Sequence, residues 1–136
     1  MRVCPQSETK ARHVMPNAKQ HLIAGLAVGA VVNSAIQWLD RVDDPTKPFD
    51  WGELFVCSIA AGAAALLPDI LEPADGPDHR KFFHSLTAAG LVAHAMSGKH
   101  TDNYSEPACR LLAALGMGYL SHIALDCTTP AAIDLV

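Results

Sequence analysis

Aromatic residues, excess positive charge and closely paired cysteines are all scarce in this sequence, and each shortage removes a class of protein. Aromatics make up 6% of the 136 residues although half are apolar, the apolar part being mostly Ala, Leu, Val and Ile beside nine glycines. Strands favour β-branched and aromatic side chains, so this mixture points to close-packed helices. Fourteen acidic against ten basic residues give a net charge of −4, which argues against a nucleic-acid binder working through a broad basic surface. Cys4, Cys57, Cys109 and Cys127 form no CxxC pair. Two of them fall inside helical segments and read as reduced, buried thiols. Residues 1–20 are polar, with Arg2, Lys10, Arg12 and Lys19 and no short apolar region before a small-residue cleavage site, so no secretory leader is expected.

What the chain does contain is four apolar, small-residue-rich segments separated by polar linkers. Residues 1–16, with Pro5 and Pro16, read as a flexible arm, and residues 17–136 as a single helical domain. Asn17 is the expected N-cap of a first helix over Ala18–Leu39, in which Gly25 and Gly29 form a small-xxx-small pair suited to close helix approach. The linker Asp40–Asp50 carries Pro45 and Pro48. A second helix is expected over Trp51–Leu67, ended by Pro68. An acidic loop with Pro73, Gly76 and Pro77 follows. A third helix is expected from Lys81–His84 to Ser97, and a fourth, with Pro107 in its first turn, over Pro107–Leu125. The fold class is therefore an all-α, four-helix up-down bundle.

Alternation of helix direction makes a geometric prediction. The start of the first helix, the end of the second, the start of the third and the end of the fourth share one pole. His21, Asp69, His84, and His122 with Asp126 occupy those four places in turn. His122 and Asp126, four residues apart, share a helical face. Mixed imidazole and carboxylate suits zinc, with manganese or iron as alternatives, and an open His/Asp site that keeps water bound is the catalytic pattern. For Asp69 the added argument is that a carboxylate at a helix C-terminus faces the negative end of the dipole and wants a cation nearby. Glu72, Asp75 and Asp78 read as a solvated acidic loop, of which at most one reaches a metal. His13, His94 and His100 read as ordinary polar residues, and Ser85 and Thr129 as helix-end hydrogen bonders. Arg80 suits a clamp on a phosphate or carboxylate, because its planar fork matches those groups bidentately.

The series HLIAG at 21–25, LLPDI at 66–70, HRKFFHS at 79–85 and GYLSHIALDCTTP at 118–130 resembles the YdjM-like family of inner-membrane, metal-dependent hydrolases. That family is in turn similar to zinc-dependent phospholipase C and P1-type nucleases. The resemblance spans about residues 20–130. It implies His21, Asp69, His79, His84, His122 and Asp126 as metal ligands, with Arg80 and Ser85 beside them. It also implies a metal-dependent hydrolase, most simply of a small-molecule or lipid phosphoester, in which His79 serves as a ligand or as the general acid for the leaving group. The competing expectation is a non-catalytic membrane or assembly protein that keeps the metal as a structural clamp.

The charge-free run Gln20–Leu39 is long enough to cross a hydrocarbon core of about 30 Å. The helical segments carry few charges on any face, unlike soluble surface helices. Membrane embedding, in the inner membrane, is the expectation, with a soluble cytoplasmic bundle as the alternative. Lys and Arg outnumber their counterparts of the opposite linkers in the N-terminal arm and the 72–83 loop, which would place the metal pole on the cytoplasmic side.

Overall fold

The computed structural model describes residues 17–72, 82–98 and 103–128. Its helices, in chain order, are α1 (Ala18–Asp43), α2 (Trp51–Ala64), α3 (Leu67–Leu71), α4 (Leu86–Ala95) and α5 (Glu106–Cys127). The long helices alternate in direction, as expected of an all-α up-down bundle. α1, α2 and α5 pack on one another, and α4 lies against α5.

Local sequence sets the helix ends. Asn17 and Gln20 form a reciprocal capping box at the start of α1, satisfying donors the first turn leaves unpaired. α1 runs four residues past the expected Leu39 and stops at Asp44, whose carboxylate accepts from the amide and hydroxyl of Thr46. Asp50 caps α2 by accepting from the Glu53 amide. α4 begins later than expected because Ser85 is its N-cap, accepting from the Ala88 amide.

Pro68 corrects the sequence reading. It does not terminate the second helix: α2 closes at Ala64, and Pro68 stands in the first turn of α3, where a missing N–H costs nothing. Asp69 consequently occupies the first turn of a short helix. The dipole argument advanced for it from sequence does not hold, since a first-turn carboxylate faces the favourable end.

Polarity is distributed inside-out. The buried positions of α1 are His21, Gly25, Gly29, Asn33 and Gln37, one residue in four and none of them a large apolar side chain. Large apolar residues point outward instead: Ile23 and Val31 on α1, Phe55 and Ile59 on α2, each about half or more exposed. An apolar shell around a small and polar interior is what a bilayer selects, because helices there associate through close packing and interior hydrogen bonds. Three stretches, Ala18–Asp43, Trp51–Leu71 and Glu106–Cys127, are long and apolar enough to cross a membrane.

The waist of the bundle is glycine against alanine. A Cβ added at Gly118 would lie 2.1 Å from the Ala61 carbonyl oxygen, and one at Gly25 2.6 Å from the Ala65 Cβ. This tightly packed waist separates two polar ends. At one, the Arg110 guanidinium bonds both carboxylate oxygens of Glu53, at 3.1 and 2.9 Å, and reaches Asp40 and Glu106. Lys47 reaches the same Asp40 and Glu106. Gln37 bonds Asn33 and both backbone groups of Asp50. The other end holds the candidate site.

Candidate metal centre

The close approach of α2 and α5 sets the site. One turn beyond Gly118 is His122, and one turn beyond Ala61 is Ala65. Contact between the first pair brings the His122 Nδ1 to 2.7 Å from the Ala65 carbonyl oxygen. A carbonyl only accepts, so Nδ1 carries the proton and the Nε2 lone pair faces inward. Gly25 places α1 against the same Ala65, and one turn earlier His21 stacks on His122 with ring centroids 3.7 Å apart.

His84 is held from a different direction. Its Nδ1 lies 3.1 Å from Glu72 Oε2, which leaves its Nε2 toward Asp69 Oδ1 at 3.3 Å. The Glu72 carboxylate also accepts from the amides of Phe82 and Phe83 at 2.9 and 3.0 Å. Partial burial would by itself raise the Glu72 pKa, but the hydrogen bonds from Phe82, His84 and Phe83 together hold it below the ordinary glutamate value. The Tyr119 hydroxyl donates to the Phe83 carbonyl, and the Ser85 hydroxyl to that of Phe82 at 2.6 Å. The segment before α4 is thus tied to both α3 and α5.

These supports leave a tight group of electron-rich atoms. His122 Nε2 lies 3.4 Å from Asp126 Oδ2 and 3.7 Å from Asp69 Oδ1. His84 Nε2 lies 3.9 Å from Asp126 Oδ2, and His21 Nε2 3.5 Å from Asp126 Oδ1. His21, His84, His122 and Asp126 are at most 2% exposed, whereas Asp69 is 43% exposed and opens one side of the cluster. Buried with no hydrogen-bond partner are His122 Nε2 and His21 Nδ1. Lone pairs and carboxylate oxygens facing one another in a buried space need positive charge between them. Protons or a cation can supply it.

The spacing fits a cation. A tetrahedral ion with ligands at about 2.0–2.2 Å holds neighbouring donors about 3.3–3.6 Å apart, and the separations here run from 3.3 to 3.9 Å. Two groupings, His21/Asp69/His122 and His84/His122/Asp126, can each hold a metal ion. The second-layer pattern fits too, since ligating imidazoles characteristically donate their other N–H to a carbonyl or a carboxylate, as His122 does to Ala65 and His84 to Glu72.

The structure therefore brings together His21, Asp69, His84, His122 and Asp126. His79 and Arg80, together with Asp75 and Asp78, lie outside the described residues. The reading of Glu72 as a solvated loop carboxylate is corrected: it is mostly buried and positions His84, because the amides of Phe82 and Phe83 and the His84 ring lie against it. Tyr119 escaped sequence reasoning, since a tyrosine in an apolar helix gives no sign of what its hydroxyl meets. Arg110 escaped it too, although a lone arginine inside an apolar helix is a signal that interior partners await it.

The model of the YdjM inner membrane protein family matches residues 15–136 of the chain. No curated protein and no solved structure matches it.

Proposed function

The chain belongs to the YdjM inner membrane protein family, and from that premise we propose that it is a metal-dependent hydrolase of a phosphoester at the membrane surface. The observation that carries this reading is the set of inward-facing donors on His21, Asp69, His84, His122 and Asp126, which form two groupings each able to hold a divalent ion, with Asp69 exposed at the edge. Zinc suits the donor set, with manganese as the alternative. Bound there, such an ion supplies Lewis acidity and lowers the pKa of a coordinated water toward neutrality.

The chain's own residues do the rest. Glu72 and the Ala65 carbonyl face the Nδ1 atoms of His84 and His122, which turns their Nε2 atoms toward the place an ion would occupy. Asp126 lies between the histidines, with one oxygen toward His21 and the other toward His84 and His122, and Asp69 stands at the opening where a substrate would arrive. His79 as general acid, or as a further ligand, and Arg80 as the clamp on the substrate anion complete the proposal from sequence. On charge grounds the site faces the cytoplasm.

The burial of His21, His84, His122 and Asp126 favours a second reading, a structural metal clamp in a non-catalytic protein. Elemental analysis of protein purified without chelator, together with cleavage of a generic phosphodiester, decides between them. Hydrolysis reads on the first, with metal bound and both metal and activity lost in His122→Ala. Bound metal without turnover, and unfolding on chelation, reads on the second. Background metal content, with His122→Ala changing nothing beyond stability, refutes both.

A further inference from the structure

We propose that the His/Asp cluster lies beneath the headgroup layer, within the hydrocarbon thickness of the bilayer, and that the apolar collar around it is covered by acyl chains. The inference rests on the membrane character of the chain and not on the hydrolase reading.

Aromatic side chains mark one edge of the hydrocarbon. Trp38 near the end of α1, Trp51 at the start of α2 and Tyr104 just before α5 are well exposed, and all three stand at the Arg110 pole. Exposed Trp and Tyr rings settle at headgroup level, where an apolar body and a polar tip are both accommodated. Helix rise then gives the distance from that belt to the cluster. α1 climbs about 25 Å from Trp38 to His21, α2 about 21 Å from Trp51 to Ala65, and α5 about 24 Å from Glu106 to His122. A hydrocarbon core is about 30 Å thick. The cluster therefore stops short of the far edge by about 5–9 Å, and any tilt of the helices leaves it deeper.

The outer surface at that level is a separate observation. Ile23, two residues from His21, is 64% exposed, and Ile70, next to Asp69, is 66% exposed. Leu71 follows, and Phe82 and Leu86, two residues before and after His84, are each about half exposed. A rim standing in water would carry polar side chains at such places. Lys19, exposed in the first turn of α1, suits the boundary itself, because a lysine stem follows apolar surface while its ammonium reaches the headgroups. His21 lies half a turn further in. The stretches long and apolar enough to cross a membrane, Ala18–Asp43 and Trp51–Leu71, contain His21 and Asp69. Whatever the cluster binds crosses the headgroup layer to reach it.

Fluorescence quenching in vesicles tests the depth. The chain has two tryptophans, so Trp38→Phe with Trp51→Phe gives a tryptophan-free protein, to which Ile23→Trp and Ile70→Trp are added one at a time. Each full-length protein is reconstituted in phosphatidylcholine, either plain or brominated near mid-chain, and aqueous iodide is the opposing quencher. Trp38 and Trp51, read singly in Trp51→Phe and Trp38→Phe, are the headgroup-level references. Brominated chains are expected to lower the fluorescence of Ile23→Trp and Ile70→Trp at least about twofold, and more than that of either native tryptophan. Iodide is expected to quench the native pair more strongly than the added residues.

Iodide quenching of the added residues equal to or above that of the native pair, without an effect of bromine, overturns the proposal and puts the collar in water. Protection from both quenchers also overturns it, since protein then covers the collar, from a second copy or another segment of this chain. The two positions stand on different helices, so where one variant does not fold the other decides. No metal and no turnover enter the measurement. Failure here leaves the hydrolase reading standing, and background metal content leaves the depth standing.

Discussion

Gly118→Ala should separate α2 from α5 and disturb the metal centre one turn away. The added Cβ would sit 2.1 Å from the Ala61 carbonyl oxygen, 2.6 Å from its Cα and 2.7 Å from its carbonyl carbon. All three are backbone atoms of a packed helix, so no side-chain rotation relieves the clash. Restoring an ordinary contact of 3.4 Å requires the helices to part by up to about 1.3 Å at that level. The hydrogen bond from His122 Nδ1 to Ala65 O, 2.7 Å long, is one turn away and would be stretched past a useful length. Overpacking costs about 1–3 kcal/mol, and losing a buried hydrogen bond adds about 1 kcal/mol. Two other glycines give an internal scale. At Gly116 the added Cβ meets only the Met96 side chain, which can swing away, and at Gly90 it meets nothing within 4 Å. The expected order of thermal stability in one detergent is Gly90→Ala at or above wild type, Gly116→Ala lower, and Gly118→Ala lowest, Gly90→Ala gaining up to about 1 kcal/mol from helix propensity. Metal content should fall in Gly118→Ala alone. Wild-type stability in Gly118→Ala would mean that α2 and α5 do not pack as described, and the positioning of His122 by that contact would go with it.

Three further predictions concern the two polar ends. Glu72→Gln can no longer hold His84 Nδ1 and two backbone amides through two carboxylate oxygens, so metal affinity should fall by about 10–100-fold while the fold persists; competition with a chelating dye measures it. Arg110→Met leaves Glu53 without its cation and Asp40 with Lys47 alone. Full burial of such a pair would cost about 3–5 kcal/mol, and because these carboxylates are partly exposed a loss of about 2–3 kcal/mol is expected, against under about 1 kcal/mol for Glu106→Ala at the exposed rim, both read from denaturation midpoints. The Lys47 pKa is raised by its hydrogen bonds to Asp40 and Glu106. Its ion pairs therefore contribute fully below the ordinary lysine value and are lost as pH rises through the raised one. Lys47→Met should remove that alkaline decline from a plot of melting temperature against pH.

The helical class, the order of the long helices, the membrane character and the gathering of His21, Asp69, His84, His122 and Asp126 at one pole follow from the sequence by itself. Composition, charge-free runs, N-caps such as Asn17 and linker prolines are local signals, and alternation then fixes which ends meet. Tertiary structure alone decided what Pro68 and Glu72 do. A proline stops one helix or starts the next with equal local ease, and only packing of α3 over the cluster selects the second. A carboxylate in an acidic loop is solvated until the chain folds back and hands it two amides and an imidazole. The Tyr119 contact and the 2.1 Å that Gly118 leaves for a side chain belong to the same class. They depend on the distance between helices far apart in sequence, and no periodicity along one chain encodes that distance.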